Sequence, residues 1–162
     1  MLLGDPYKFS IYFKNIQEWN LDETFCNGLL FFFVDGNYFP KKVNTATLKC
    51  EIPPLKEKLM NLTINERLYS MKKEQAFKEI YNITFPENWD VKNDYRYDIS
   101  PLVFWDNHCF VFAVSDGVNV RILASSLNYV AENSRHELEA INVSESYITI
   151  EEVNIIASKL NI

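Results

Sequence analysis

Two histidines, three cysteines and a few paired carboxylates are the residues of this chain that could do covalent chemistry. His108 stands beside Cys109, a base next to a nucleophile. Adjacent residues of a strand point to opposite faces, so these two side chains are not expected to meet. Cys109 reads instead as a buried thiol. His136 lies in the polar run Asn133-Ser134-Arg135-His136-Glu137 and reads as a solvated loop residue. Of the carboxylate pairs, Glu151-Glu152 belongs to a helix start; Asp22-Glu23 reads as the beginning of a helical turn or loop, with acid–base work as its alternative. Metal-ligand spacings such as HxxxH, CxxC or an Asp-x-Asp-x-Asp-Gly loop do not occur. The four glycines form neither GxGxxG nor GxxxxGK(S/T), and there is no Gly-x-Ser-x-Gly elbow. No cofactor, no metal and no catalytic residue is expected.

A different chemistry, that of recognition, is written between residues 89 and 106. Trp89, Asp90, Asp94, Tyr95, Tyr97, Asp98, Trp105 and Asp106 interleave rigid aromatics with acids. Interfaces that meet a basic protein use such a mixture. The set Trp89, Asp90, Asp94, Tyr95, Asp98, Trp105 and Asp106 is therefore the candidate partner-binding site. A second reading stays open: Tyr95 and Tyr97 alternate with Arg96 and Asp98, as in a strand pair with rings inside and acids outside.

Charge supports the first reading. The chain of 162 residues carries a net charge of −6. Residues 87–162 hold five basic and twelve acidic side chains, whereas residues 1–50 hold five of each sign. Phosphate backbones repel such a surface, so neither nucleic acid nor an anionic membrane is an expected partner. A basic protein would be steered towards it; acidity also keeps a protein soluble, which is the plainer explanation of the same count. Three widely spaced cysteines, Cys26, Cys50 and Cys109, do not make a disulfide framework. The start, Met1-Leu2-Leu3-Gly4-Asp5-Pro6, lacks the basic opening of a signal peptide, and the longest apolar run, Leu29–Val34, is six residues. A cytoplasmic protein with no membrane span is the expectation.

The elements that must position these residues are legible in the periodicity. Phe9, Ile11 and Phe13 alternate with polar or amphipathic neighbours, the pattern of a half-buried strand. Leu29–Val34 is apolar on both faces, which suits a central strand covered on two sides. Asp35-Gly36 predicts a hairpin returning through Asn37–Phe39, and Thr45–Glu51 predicts a further strand ended by Pro53-Pro54. Leu55–Leu62 reads as a short helix, and Tyr69, Ala76, Phe77 and Ile80 predict a helix from about Asn65 to Tyr81. Glu87–Ser100 reads as a loop leading into a strand. Asp116-Gly117 predicts a second hairpin, with Phe110, Phe112 and Val114 expected on one side together with Val118, Val120 and Ile122. Leu138–Val143 is expected at a sheet edge. Thr149-Ile150-Glu151-Glu152 is a capping box that opens a terminal helix burying Val153, Ile156, Ala157 and Leu160. The fold class is α+β: a curved, mainly antiparallel sheet with two or three helices packed against one face, in a single domain spanning 1–162.

Gly4-Asp5-Pro6-Tyr7-Lys8-Phe9-Ser10-Ile11, then Glu18-Trp19-Asn20, then Asn27-Gly28-Leu29-Leu30-Phe31-Phe32 and the Asp35-Gly36 turn resemble the opening of Imm42-type immunity proteins of bacterial polymorphic toxin systems. Val114-Ser115-Asp116-Gly117 and Arg121-Ile122-Leu123 are also similar to that family. The resemblance implies a cytoplasmic protein that binds and neutralises a cognate toxin by stoichiometric occlusion, without catalytic residues. A nuclease toxin would present a basic cleft to the acidic half. Within the shared residues, Gly4 and Gly28 read as backbone geometry and Trp19 as a core position. Two other classes stay open beside this one. One is a small enzyme on a polar substrate using Asp22, Glu23 or His108; the other is an adaptor that binds a host protein through a sheet edge.

Overall fold

The alternation in Phe9–Phe13 puts every second side chain on one face, and the structure turns that face inward. This computed structural model describes residues 1–22 and 24–162; Glu23, half of the carboxylate pair named above, lies outside the described residues. Strand β2 (Phe9–Asn15) pairs antiparallel with β1 (Leu2–Gly4) on one side and β3 (Asn27–Val34) on the other. β4 (Asn37–Phe39) and β5 (Ala46–Thr47) both pair with β3. Val34 faces Asn37 across the predicted turn, with Asp35 and Gly36 at φ 51° and 74°, the twist-matched two-residue hairpin.

The next segment departs from expectation. Only Ala46 and Thr47 are strand; from Leu48 the chain is helix α1 (Leu48–Met60), with Pro53 and Pro54 inside it. The prolines cannot donate to the carbonyls of Lys49 and Cys50, two exposed residues, so the loss falls on the wet side of the helix. Burial of Leu48, Ile52, Leu55 and Leu59 holds the helix in place. The helix expected at 65–81 is two, α2 (Glu66–Ser70) and α3 (Lys73–Thr84). The break has a cause in a third element. The buried Arg121 guanidinium donates at 3.0 Å to the carbonyls of both Leu68 and Tyr69, the acceptors that a continuous helix would need.

Arg121 belongs to the second sheet, built from β6 (Cys109–Ser115), β7 (Asn119–Ser126) and β10 (Ser144–Thr149) in the order β10-β7-β6. Two shorter strands, β8 (Tyr129–Val130) and β9 (Arg135–His136), pair with each other. The strand expected at Leu138–Val143 lies instead at Ser144–Thr149. Opposed residues share a face, and Phe112 opposes Leu123 while Val114 opposes Arg121. Val120 and Ile122 consequently point away from Phe110, Phe112 and Val114, not towards them, and Val118 is exposed.

That division creates two cores. Cys109, Val111, Ala113, Val120 and Ile122 meet the first sheet, α1 and the terminal helix α5 (Ile150–Lys159). Phe110, Phe112, Val114 and Leu123 meet α2 and α3. Helices thus cover both faces of the second sheet rather than one. α5 opens with the predicted capping box, Thr149 and Glu152 exchanging bonds at 3.1 and 2.8 Å, and buries all four expected residues. Among the described residues no helix is long and apolar enough to cross a membrane. The mixed helices and antiparallel sheets make the fold α+β.

Trp19 is 42% exposed, so its expected core role is overturned; its carbonyl accepts from Asn27 at the mouth of β3. Gly28 does serve geometry. A Cβ there would lie 2.1 Å from the Lys14 carbonyl oxygen and 2.8 Å from a Leu48 methyl. The Gly28→Ala variant should therefore force β2 and β3 apart and lose roughly 2–4 kcal/mol of stability. Urea denaturation checks this; a loss below about 0.5 kcal/mol would show that the strands accommodate the methyl group.

Candidate partner-binding face

Glu87–Ser100 is a folded loop that ends in a single antiparallel bridge to β6, Asp98 opposite Phe112, with the Ile99 amide donating to the Val111 carbonyl and the Ala113 amide to that of Tyr97. Asn93 Nδ2 donates to the Thr84 carbonyl at 2.9 Å, and Asp94 N to the Ile83 carbonyl at 3.2 Å, which tie the loop back onto α3. Short helix α4 (Leu102–Trp105) follows; buried Glu51 of α1 accepts from the Leu102 and Val103 amides at 2.8 and 3.0 Å and caps its start.

Loop and helix bring Tyr95 and Trp105 together as a stacked pair, ring centres 5.7 Å apart. Phe85 stands edge-on to both, at 6.2 and 5.4 Å. From Phe85 the rings continue through Phe110 and Tyr81 to His136 and Tyr129, and Tyr129 stacks on His108 at 5.4 Å. The result is one continuous band of aromatic contacts anchored in the second core. Trp89 joins it at the rim of a cavity of about 390 Å³ that Phe85, Phe110, Tyr81 and His136 also line. Its own side chain is 99% exposed. Tyr95 and Leu102 are also open to solvent.

The acids divide. Asp90 and Asp106 are exposed, and no described residue forms an ion pair with either. Asp94 is held by Arg96 through Nε at 2.8 Å, with the Arg96 amide also donating to it. Asp98 is set apart from the other six, at 1% exposed. One of its oxygens takes the Ser100 amide at 3.0 Å; the other lies 3.7 Å from Lys58 Nζ. Burial pushes its carboxyl above the usual range, against the pull of Lys58 and Ser100. Asp98 is thus an internal carboxylate that joins the α4 region to α1, and it cannot touch a partner without unfolding its surroundings. Tyr97 is buried as well, its hydroxyl accepting from Asn65 at 3.0 Å.

Sequence reasoning missed the histidines. His136 is in β9, half-buried, with Nδ1 2.7 Å from the Tyr81 hydroxyl and Nε2 3.0 Å from His108 Nδ1. Together they fasten the β8–β9 hairpin to α3 and to the start of β6. Polar neighbours in sequence concealed this, because the partners lie 55 and 28 residues away. Burial first, then His108 and Arg135, lowers the His136 pKa to about 4. His108 and Cys109 do not pair: the thiol faces the first core, where burial pushes it up to about 12. Asp22 lines a cleft of about 740 Å³ beside Lys14 and Lys49, and His108 is not among its lining residues. No group of three or more His, Cys, Asp or Glu among the described residues could hold a metal ion.

The neutral His136 ring predicts a pH effect of definite sign. Its folded pKa lies below the ordinary 6.5, so its contribution is fully present above pH 6.5 and is lost as pH falls towards about 4. The His136→Gln variant should lose stability less steeply across that window, while carboxylates contribute equally to both proteins. Urea midpoints at half-unit pH steps check this; parallel curves would mean that the ring titrates as in the unfolded chain.

The sequence model of the family described as Immunity protein 42 matches residues 1–161. No curated protein matches the chain. Among solved structures, the crystal structure of CdiI from Burkholderia dolosa AUO158 is similar in fold. Its TM-score is 0.77 at 21% identity, over 98% of this chain and 96% of that one.

Proposed function

This chain belongs to the Immunity protein 42 family, and we propose that it neutralises its cognate toxin by stoichiometric occlusion through the aromatic and acidic face around Trp89. The observation that carries the proposal is the exposed indole of Trp89 at the rim of a cavity lined by Phe85 and Phe110 of the ring band, with the exposed carboxylates of Asp90 and Asp106 on the same loop region. Rings already held by packing, as Tyr95 and Trp105 are, lose little entropy on binding and supply the central anchor of an interface. Carboxylates at the edge supply encounter rate and orientation.

In this reading Trp89, Tyr95 and Trp105 are the anchor and Asp90, Asp94 and Asp106 the steering charges. Asp98 shapes the loop from inside. Residues 1–162 act as one domain in the cytoplasm, where the toxin works, and neutralisation involves no turnover. The toxin surface that fits is basic, as the nucleic-acid-binding cleft of a nuclease would be; the twelve acids of residues 87–162 favour that class.

Co-expression with the toxin encoded beside this gene tests the function: cells should survive with the chain and die without it, and equal death would end the proposal. The face is tested by kinetics. Trp89→Ala with Tyr95→Ala should weaken toxin binding about 30-fold or more, chiefly by faster dissociation. Reversing Asp90, Asp94 and Asp106 to Lys should slow association about tenfold and flatten its salt dependence. Unchanged rates in both variants would put the interface elsewhere. Asp98→Asn should change stability and leave the association rate of the folded protein alone.

A further inference from the structure

Trp89 and Asp90 are the two central residues of a turn that the Val91 amide closes on the Asn88 carbonyl at 3.0 Å. The Asn88 side chain also accepts from the Asp90 amide at 3.0 Å. These bonds shape the turn, and its stance on the molecule is decided where the segment is fastened. Past the turn, Asn93 and Asp94 donate to the Thr84 and Ile83 carbonyls at the end of α3. Ahead of it, the Phe85 carbonyl accepts at 3.1 Å from Arg135 Nη1 of β9, 50 residues away in sequence.

Arg135 does more than cap a carbonyl. Its Nη2 donates at 2.9 Å to Asn82 Oδ1, on the last turn of α3, and its Nε lies 3.7 Å from the Glu87 carboxylate. One planar fork therefore grips both sides of Pro86, where the chain leaves the helix for the turn. The Glu87 contact is with an exposed side chain and adds little by itself; the two bonds to Phe85 and Asn82 carry the grip. The Arg135 side chain is 21% exposed, with its guanidinium 5.8 Å over the Tyr81 ring. His136 next to it is bonded to Tyr81 and His108, so the fork rides on a hairpin that is held independently.

We propose that Arg135 is the positioning residue of the Trp89 turn: from the β8–β9 hairpin it sets where the indole stands when the toxin arrives. This rests on the Trp89 reading of the toxin-binding face. Charge alone would give Arg135 the opposite part. A cation beside a face that meets a basic protein opposes approach, so its removal would speed association. Positioning acts instead on the complex once formed, because a displaced indole loses its contacts and the toxin leaves sooner. The two roles differ in sign and in the rate that they change.

Amide hydrogen exchange of the free chain is the first test. Arg135→Ala should speed exchange at the Val91 amide about fivefold and leave the Asp94 amide, bonded to Ile83, within about twofold. Circular dichroism and a thermal melt show that the variant folds. Dissociation of the complex with the toxin encoded beside this gene is the second test. Arg135→Ala should speed it about tenfold in the parent and less than about twofold in a Trp89→Ala background. Arg135→Lys keeps the charge and loses the fork, and should stay about threefold or more faster than the parent. Should Arg135→Ala fail to fold, Asn82→Ala removes one acceptor from an exposed position and should show the same coupling at about threefold. Unchanged Val91 exchange, equal effects in both backgrounds, or full recovery with lysine would overturn the proposal and leave the Trp89 face standing. Toxin binding indifferent to Trp89→Ala would remove that face, and the positioning role with it.

Discussion

Burial of the β6–β7 hairpin on both faces is the constraint from which the rest of the molecule follows. Every residue of β6 is buried, alternating between the two cores. A strand with no wet face must be sandwiched, and the chain supplies a different layer on each side: the first sheet with α1 and α5, and the pair α2 and α3. The hairpin also carries Arg121, whose guanidinium is paired with Glu145 at 2.7 Å and holds the end of α2 by two carbonyls. A buried arginine is tolerable only when its donors are matched this fully. Its demands stop α2 after five residues and so set where α3 begins. Phe85, just past α3, is thereby brought against Trp105, Tyr95 and Phe110.

Local physics was legible in the residues, and long-range physics was not. The Asp35-Gly36 turn, the Thr149–Glu152 capping box and the inward face of β2 depend on groups within a few positions of one another, and each stands as read. Pro53-Pro54 misled because helix breaking is a local tendency, whereas α1 is held by four buried side chains facing a distant sheet. The α2–α3 break is set by Arg121, some fifty residues later. The face assignment of Val120 and Ile122 required the register of the hairpin, which turn residues alone leave open.

The candidate site shows the same division more finely. Interleaved aromatics and acids singled out a stretch of which Trp89, Asp90, Tyr95 and Asp106 do reach the surface. Composition could not separate them from Tyr97 and Asp98, which the same loop turns inward. Nor could it supply Phe85, Tyr81, His136 and Tyr129, which make the band continuous, since these come from α3 and the β8–β9 hairpin. A histidine in a polar run looks solvated until its distant partners are known.

The loop face around Trp89 and the outer face of β2 and β3 differ in charge and in make-up. The Trp89 face carries the exposed carboxylates of Asp90 and Asp106 beside the stacked rings of Tyr95 and Trp105. The outer face of β2 and β3 is apolar, with Lys14 and Lys41 at its border. The first sheet is built from the neutral first third of the chain, while the charged loop leans on the second core through Phe85 and Tyr97. The first core also draws on the acidic half, through Ile99, Phe104 and the α5 residues Val153 and Ile156. The two surfaces are therefore held apart by the face of the shared hairpin on which each element packs, and not by position along the sequence alone.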